Sequence, residues 1–167
     1  MKKLSLLILL FAITISCKKV QEKKELNENT KKVTEITIEK LTNSPSYKEA
    51  LLQLKEPNNT KNIKNGAVDF KFEVNNYKLG AQTDSPNANI LANSGKGQHI
   101  HFILNNEPYS AHYTSNFTKE LPSGVHHLVA FLSRSYHESV KNEKSVVFKK
   151  FEVGENPKDT IGINESA

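Results

Sequence analysis

All six histidines of the chain lie between His99 and His137, and none occurs elsewhere. Imidazole is the side chain that titrates near neutral pH, and it is the commonest metal ligand. His99 and His101 are separated by one residue. On a strand, both side chains leave the same face, about 6.5–7 Å apart. Two rings at that spacing can converge on one ion, while Ile100, Phe102 and Leu104 take the opposite face and point to a core. His112 is placed by counting. A two-residue turn at Asn105-Asn106 sets His112 across from His99, and a four-residue loop from Asn105 to Pro108 sets it across from His101. Either register puts all three rings on one face, and only a three-residue loop or a bulge breaks this. Asn-Asn tolerates the positive φ of a type I′ turn. Three imidazoles with an open fourth position form the donor set of an exposed zinc or copper site. The expected ligands are therefore His99, His101 and His112, with His137 as a fourth if its loop folds over this face.

The other two histidines divide by parity. His126 shares a face with Leu128, Ala130 and Leu132 and is expected to be a buried, hydrogen-bonded structural residue; His127 shares a face with Val129 and Phe131. His137 sits in Ser133-Arg134-Ser135-Tyr136-His137-Glu138-Ser139. That loop offers a cation, hydroxyls, a phenol, an imidazole and a carboxylate. Loops at the end of a sandwich are where recognition residues are carried. A second expectation follows from it. Arg134, Ser135, Tyr136 and Glu138, together with the long loop 76–97, would bind a phosphorylated, anionic or glycan ligand without metal. A third is a structural envelope protein whose histidine face packs on a partner protein. No nucleophile elbow or glycine-rich phosphate loop is present, so the chain is not expected to be an enzyme.

The elements that must carry these residues read as strands. In 66–75, Val68, Phe70, Phe72 and Val74 alternate with Asp69, Lys71, Glu73 and Asn75, which sets one face in a core and one in water. Ala50 to Leu54, the hairpin strands 98–104 and 108–114, Phe117 to Leu121, His126 to Ser133 and Ser145 to Val153 complete the set. Tyr77 and Leu79 suggest a further brief strand, and Ile36 and Ile38 a weak one. Asn76 to Gly97 is a long loop rich in Asn, Gly and Ser, a length expected to be functional or disordered. About seven short strands without helical periodicity predict an all-β fold, an antiparallel β-sandwich. The run Leu121 to Leu132, with its Pro122-Ser123-Gly124 turn, resembles the E–F corner of immunoglobulin-like and fibronectin-like domains. Their Cys and Trp markers are absent, so the strand topology stays open.

Residues 1–16 read as a signal peptide. Lys2 and Lys3 precede a 13-residue apolar run, Leu4 to Ser16, that is too short to span a bilayer. The only cysteine, Cys17, follows at once, and the segment resembles the lipobox of bacterial lipoproteins. Thr14 and Ile15 depart from the usual pattern in the manner of the looser Bacteroidetes lipoboxes. The resemblance implies lipidation at Cys17 and a membrane anchor. Residues 17–46, rich in Lys, Glu, Asn and Thr, read as a flexible tether. The sandwich domain spans 47–154, and 155–167 is expected to be a disordered tail. The formal net charge is +5; without Lys2 and Lys3, 21 of the 23 basic side chains remain against 18 acidic ones. The lysines are interleaved with acids and form no aromatic-laced basic stripe, which excludes a nucleic-acid partner on sequence grounds.

The runs Gly95-Lys96-Gly97-Gln98-His99-Ile100-His101, Asn106-Glu107-Pro108-Tyr109 and Phe131 to Ser139 are similar to those of a group of small Bacteroidetes lipoproteins, over roughly residues 46–154. Some members of that group carry the label phosphopeptide-binding, which here only Arg134 and its serines would fit. The group also resembles other short secreted β domains with histidine-rich strands suspected of binding metal. The resemblance implies a bacterial cell-envelope location, lipid-anchored in the outer membrane on its periplasmic or surface side. It also implies a binding role; the histidine face makes a metal ion or an envelope protein the expected partner.

Overall fold

The computed structural model describes residues 36–159. The expected leader, the Cys17 lipidation site, most of the tether and the last eight residues lie outside them. The chain divides into two units, 1–39 and 40–167. Of the first, only residues 36–39 are described. No strand forms at Ile36 or Ile38, contrary to the alternation there; two apolar residues are too few to fix a strand by themselves.

The second unit holds seven strands: β1 (Leu51–Glu56), β2 (Gly66–Asn75), β3 (His99–Leu104), β4 (Ser110–His112), β5 (Asn116–Leu121), β6 (Gly124–Ser133) and β7 (Val146–Val153). Two short 3-10 turns, Pro86–Asn89 and Glu143–Ser145, are the only helical pieces among the described residues. All strand pairs are antiparallel, in a three-stranded sheet β1-β2-β5 and a four-stranded sheet β4-β3-β6-β7. The expected antiparallel sandwich is the observed architecture. The order also closes the topology that the sequence left open. An immunoglobulin constant domain keeps its fourth strand with the first sheet; here β4 has crossed to the edge of the second.

Period-two sequence dictates the core. Val68, Phe70 and Phe72 of β2 face Ile100 and Phe102 of β3, Leu128, Ala130 and Leu132 of β6, and Val147, Phe151 and Val153 of β7, all buried. Phe70 meets Phe102 edge-on with centroids 4.9 Å apart, and Phe102 meets Phe117 at 5.2 Å. Edge-to-face contact adds about 0.5–1.5 kcal/mol per pair to the burial itself.

The β5–β6 corner is closed by His126. Its Nε2 donates to the Pro122 carbonyl (2.9 Å), and its Nδ1 accepts from Asn105 Nδ2 (3.1 Å). Immunoglobulin-like corners use a tyrosine hydroxyl in this way, bonded to backbone a few residues upstream. His126 does so with a ring nitrogen, as its parity foretold. Asn105 completes the join: its backbone N–H reaches the His127 carbonyl (2.7 Å) and its Oδ1 accepts from the His127 N–H (3.0 Å).

The outer face of the four-stranded sheet is less polar than that of its partner. Val129 stands across from Ile103 and from Phe148, and Phe131 across from His101 and Val146. Phe148 is 69% exposed on β7, the edge strand, next to Lys149 and Lys150. Beyond β7 the chain turns back. The Val125 N–H bonds the Lys158 carbonyl, and Asp159 pairs with Lys150 (3.2 Å) and His127 (3.3 Å). Residues 155–159, expected to be tail, thus pack on the domain.

Candidate metal centre

β3 delivers His99 and His101 to its outer face because Ile100 and Phe102 are committed to the core. Both imidazoles are buried, His99 completely. Their Nε2 atoms lie 2.8 Å apart. His99 Nδ1 lies 2.8 Å from the Gly97 carbonyl oxygen. A carbonyl only accepts, so Nδ1 carries the proton and Nε2 is left with a free lone pair. The proton shared between the two rings then sits on His101 Nε2. Burial lowers the His99 pKa, against the raising effect of the Gly97 bond. Burial, with His99 and His137 alongside, pushes His101 down to about 4. Both rings are therefore neutral at pH 7, the state in which imidazole binds a metal.

His137 is the third member. One ligand atom from each of His99, His101 and His137 falls within 4.8 Å of the others, the one such group of three among the described residues. The His137 ring is 5.0 Å from His99 and 5.7 Å from His101, centroid to centroid. It is exposed, on the tip of the β6–β7 loop, with φ at 66°. Histidine is among the few non-glycine types enriched in that region. The His137 N–H closes a turn onto the Arg134 carbonyl (3.0 Å), and the Arg134 N–H bonds the Glu138 carbonyl (2.8 Å). The loop thus folds over the histidine face, as the sequence allowed.

His112 is a correction. β3 and β4 pair with Ile100 across from His112 and Phe102 across from Ser110. The connection holds an odd number of residues, and every side chain of β4 changes face. His112 therefore points to the Phe102 side, stacked on Phe117 at 3.4 Å and bonded to Ser110 Oγ (2.9 Å). It is not part of the cluster. The faces reverse because Asn105 is not a free turn residue: it is held to β6 through both its backbone and its side chain.

The same reversal brings Tyr109, Ala111 and Tyr113 to the histidine face. Tyr109 stacks on His101 at 4.0 Å, and Tyr113 lies 5.0 Å from His99. Ala111, directly across from His101, leaves room for that stack. Tyr109 was missed as a site residue; its parity with Ala111 was the available signal once the loop length was known. Gly97 was missed as well. Its φ is +85°, and a Cβ there would stand 2.5 Å from the Ala81 carbonyl oxygen. Only glycine lets the chain present the carbonyl that fixes His99.

The anion-binding set is also corrected. Arg134 is 3% exposed and turned inward. Its Nε and Nη2 donate to the Pro45 carbonyl, its Nη1 to the Ser139 carbonyl (2.8 Å), and Glu138 lies 3.4 Å from Nη1. Ser135 Oγ accepts from the Thr83 N–H (3.1 Å), and the Tyr136 hydroxyl donates to Ser44 Oγ (2.9 Å). These groups tie the domain together and present no outward clamp. The loop 76–97, with no strand at Tyr77 or Leu79, is spent likewise. The Tyr77 hydroxyl donates to the Ser133 carbonyl (2.8 Å), and Thr83 Oγ1 bonds Gln98 and the Ser135 N–H.

The donor set fits a metal. Two nitrogens on one zinc ion, each about 2.0–2.1 Å from it, stand roughly 3 Å apart. The His99–His101 pair at 2.8 Å needs only a small opening and a shift of the shared proton to His101 Nδ1. Compared with protein-family models, curated proteins and solved structures, the chain matches none.

Proposed function

We propose that this is a lipid-anchored protein of the bacterial cell envelope that binds a transition metal ion, copper or zinc, through His99, His101 and His137. It acts as a binding protein rather than an enzyme. The observation that carries the reading is the His99–His101 contact: two buried, neutral imidazoles with Nε2 atoms 2.8 Å apart, beneath a third histidine. The two Nε2 atoms now share one proton, and an ion in its place would take a lone pair from each ring. All-imidazole donors suit copper and zinc and disfavour magnesium or calcium. The anchor rests on Cys17 directly after the apolar run Leu4 to Ser16, and on the resemblance to Bacteroidetes lipoproteins. The Lys- and Glu-rich stretch from Cys17 onward supports a tether that holds the domain off the membrane.

Elemental analysis and calorimetric titration of the purified protein with copper and zinc test this. One-to-one binding is expected, abolished in His101→Ala and retained in His112→Gln. The second variant separates the observed site from the strand-face set that the sequence suggested. Unchanged affinity in His101→Ala would sink the reading.

A further inference from the structure

The segment Thr42–Tyr47, which enters the domain ahead of β1, makes side-chain contacts out of proportion to its length. Arg134 reaches across to the Pro45 carbonyl with both Nε and Nη2. Its guanidinium also lies over the Tyr47 ring, 5.6 Å from the centroid. The Tyr136 hydroxyl bonds Ser44 Oγ (2.9 Å), and Asn142 Nδ2 bonds the Tyr47 carbonyl (2.9 Å). From the other side, Asn87 Nδ2 bonds the Thr42 carbonyl (2.6 Å) and Ser85 Oγ the Asn43 carbonyl (2.8 Å). The Tyr47 hydroxyl donates to Gln98 (2.6 Å), the residue before His99. This strap is therefore gripped by both arms of the metal centre: the loop that carries His137 and the start of the strand that carries His99. Arg134 is the common fastener. It binds the strap with one edge and the Ser139 carbonyl, beyond His137, with another.

We infer that Arg134 is the positioning residue of the centre: by gripping the strap it holds the His137 loop over the His99–His101 pair, so the third histidine is in place only while the strap is docked. The inference rests on the metal reading for its chemical meaning, but the geometry it asserts does not need the ion. Ser135 is also anchored, on Thr83 and on the Ser94 N–H (2.7 Å), but the turn directly beneath the exposed His137 runs from Arg134 to Glu138, and Arg134 is the end of it that reaches the strap. A turn whose first residue is fastened through a planar, bidentate guanidinium is sensitive to losing it, and lysine cannot reproduce the fork. The strap is also the end of the domain through which any N-terminal anchor must pull. Displacing it would reduce a three-histidine site to the β3 pair.

The test compares full-length wild type, Arg134→Gln, Arg134→Lys, His137→Ala and the milder Ser44→Ala, which removes one hydroxyl shared by Tyr136 and Asn87. Without metal, amide hydrogen exchange is read at Arg134 and His137. Exchange about tenfold faster or more is expected in Arg134→Gln, partial recovery in Arg134→Lys and a several-fold increase in Ser44→Ala. With copper(II), the visible and electron-spin spectra of Arg134→Gln should move to those of His137→Ala. Its affinity should fall about 10–100-fold, the usual effect of losing a group that orients a ligand, and adding His137→Ala should cost nothing more. Wild-type exchange and a wild-type spectrum in Arg134→Gln would overturn the inference. If that variant does not fold, unchanged exchange in Ser44→Ala overturns it. Should wild type bind no metal, the metal reading falls, and the exchange measurements alone decide for or against the strap.

Discussion

At the scale of single residues, the centre depends on positions that hold no ligand atom. Gly97 supplies the carbonyl that pins the His99 tautomer, and its backbone conformation and surroundings admit no side chain. Gly97→Ala must either strain the backbone, at about 1–3 kcal/mol, or push the 80–81 segment away. Denaturant unfolding should show a lower midpoint of that order. Copper or zinc affinity should drop alongside it, because His99 loses the bond that aims its lone pair. His112 teaches the opposite lesson. It is as much a histidine as the others and as close in sequence, yet one residue of loop length consigns it to the core side. Residue type was legible; membership of the site was not.

Elements set that membership. The strand β2 follows from alternation, with Val68, Phe70, Phe72 and Val74 at every second position, and β6 from its unbroken apolar run Leu128 to Leu132 bounded by a turn. β4, with three residues, carries too little pattern to fix its own register, and its neighbours decide for it. Likewise the loop 76–97 and the 134–142 loop read as polar and open in sequence, whereas Tyr77, Thr83, Arg134 and Ser135 within them are bonded across the fold. Tyr77 to Ser133 and Thr83 to Ser135 are each more than fifty positions apart, beyond the reach of any local pattern. The corner histidine is where sequence and structure agree most closely, and it offers an element-level test. His126→Phe keeps the ring but removes the Pro122 bond and strands the Asn105 amide. A loss of about 1–3 kcal/mol is expected for a buried partner left unsatisfied. Metal binding should be unchanged, since the corner lies away from the β6–β7 loop. Equal stability of the two proteins in urea would show that the ring alone makes the corner.

For the whole molecule, buried imidazoles make acid a denaturant. Burial, helped by Lys119, pushes His112 down to about 4, and His101 is held as low. The unfolded chain takes up these protons near pH 6.5; the folded chain refuses them until about pH 4. Between those limits the unfolded state binds more protons, so stability falls as pH falls, by up to about 1.4 kcal/mol per pH unit for each such histidine. Thermal midpoints of the metal-free protein should decline from about pH 6.5 to pH 4 and level off below. His112→Gln should show a shallower slope. A flat profile would mean that the ring titrates as it does in water. The free border of β7 has a consequence of another kind. Above its bridge to Ile63, the strand carries an open row of backbone donors and acceptors with Phe148 exposed beside it. Such a border is a template on which a second chain can add a strand. Lys149 and Lys150 stand there as adjacent positive charges, and two copies meeting along this border would bring them face to face. Copies of this domain would thus be kept from adding edge to edge by two lysines that bear no ligand atom, one of which also holds Asp159.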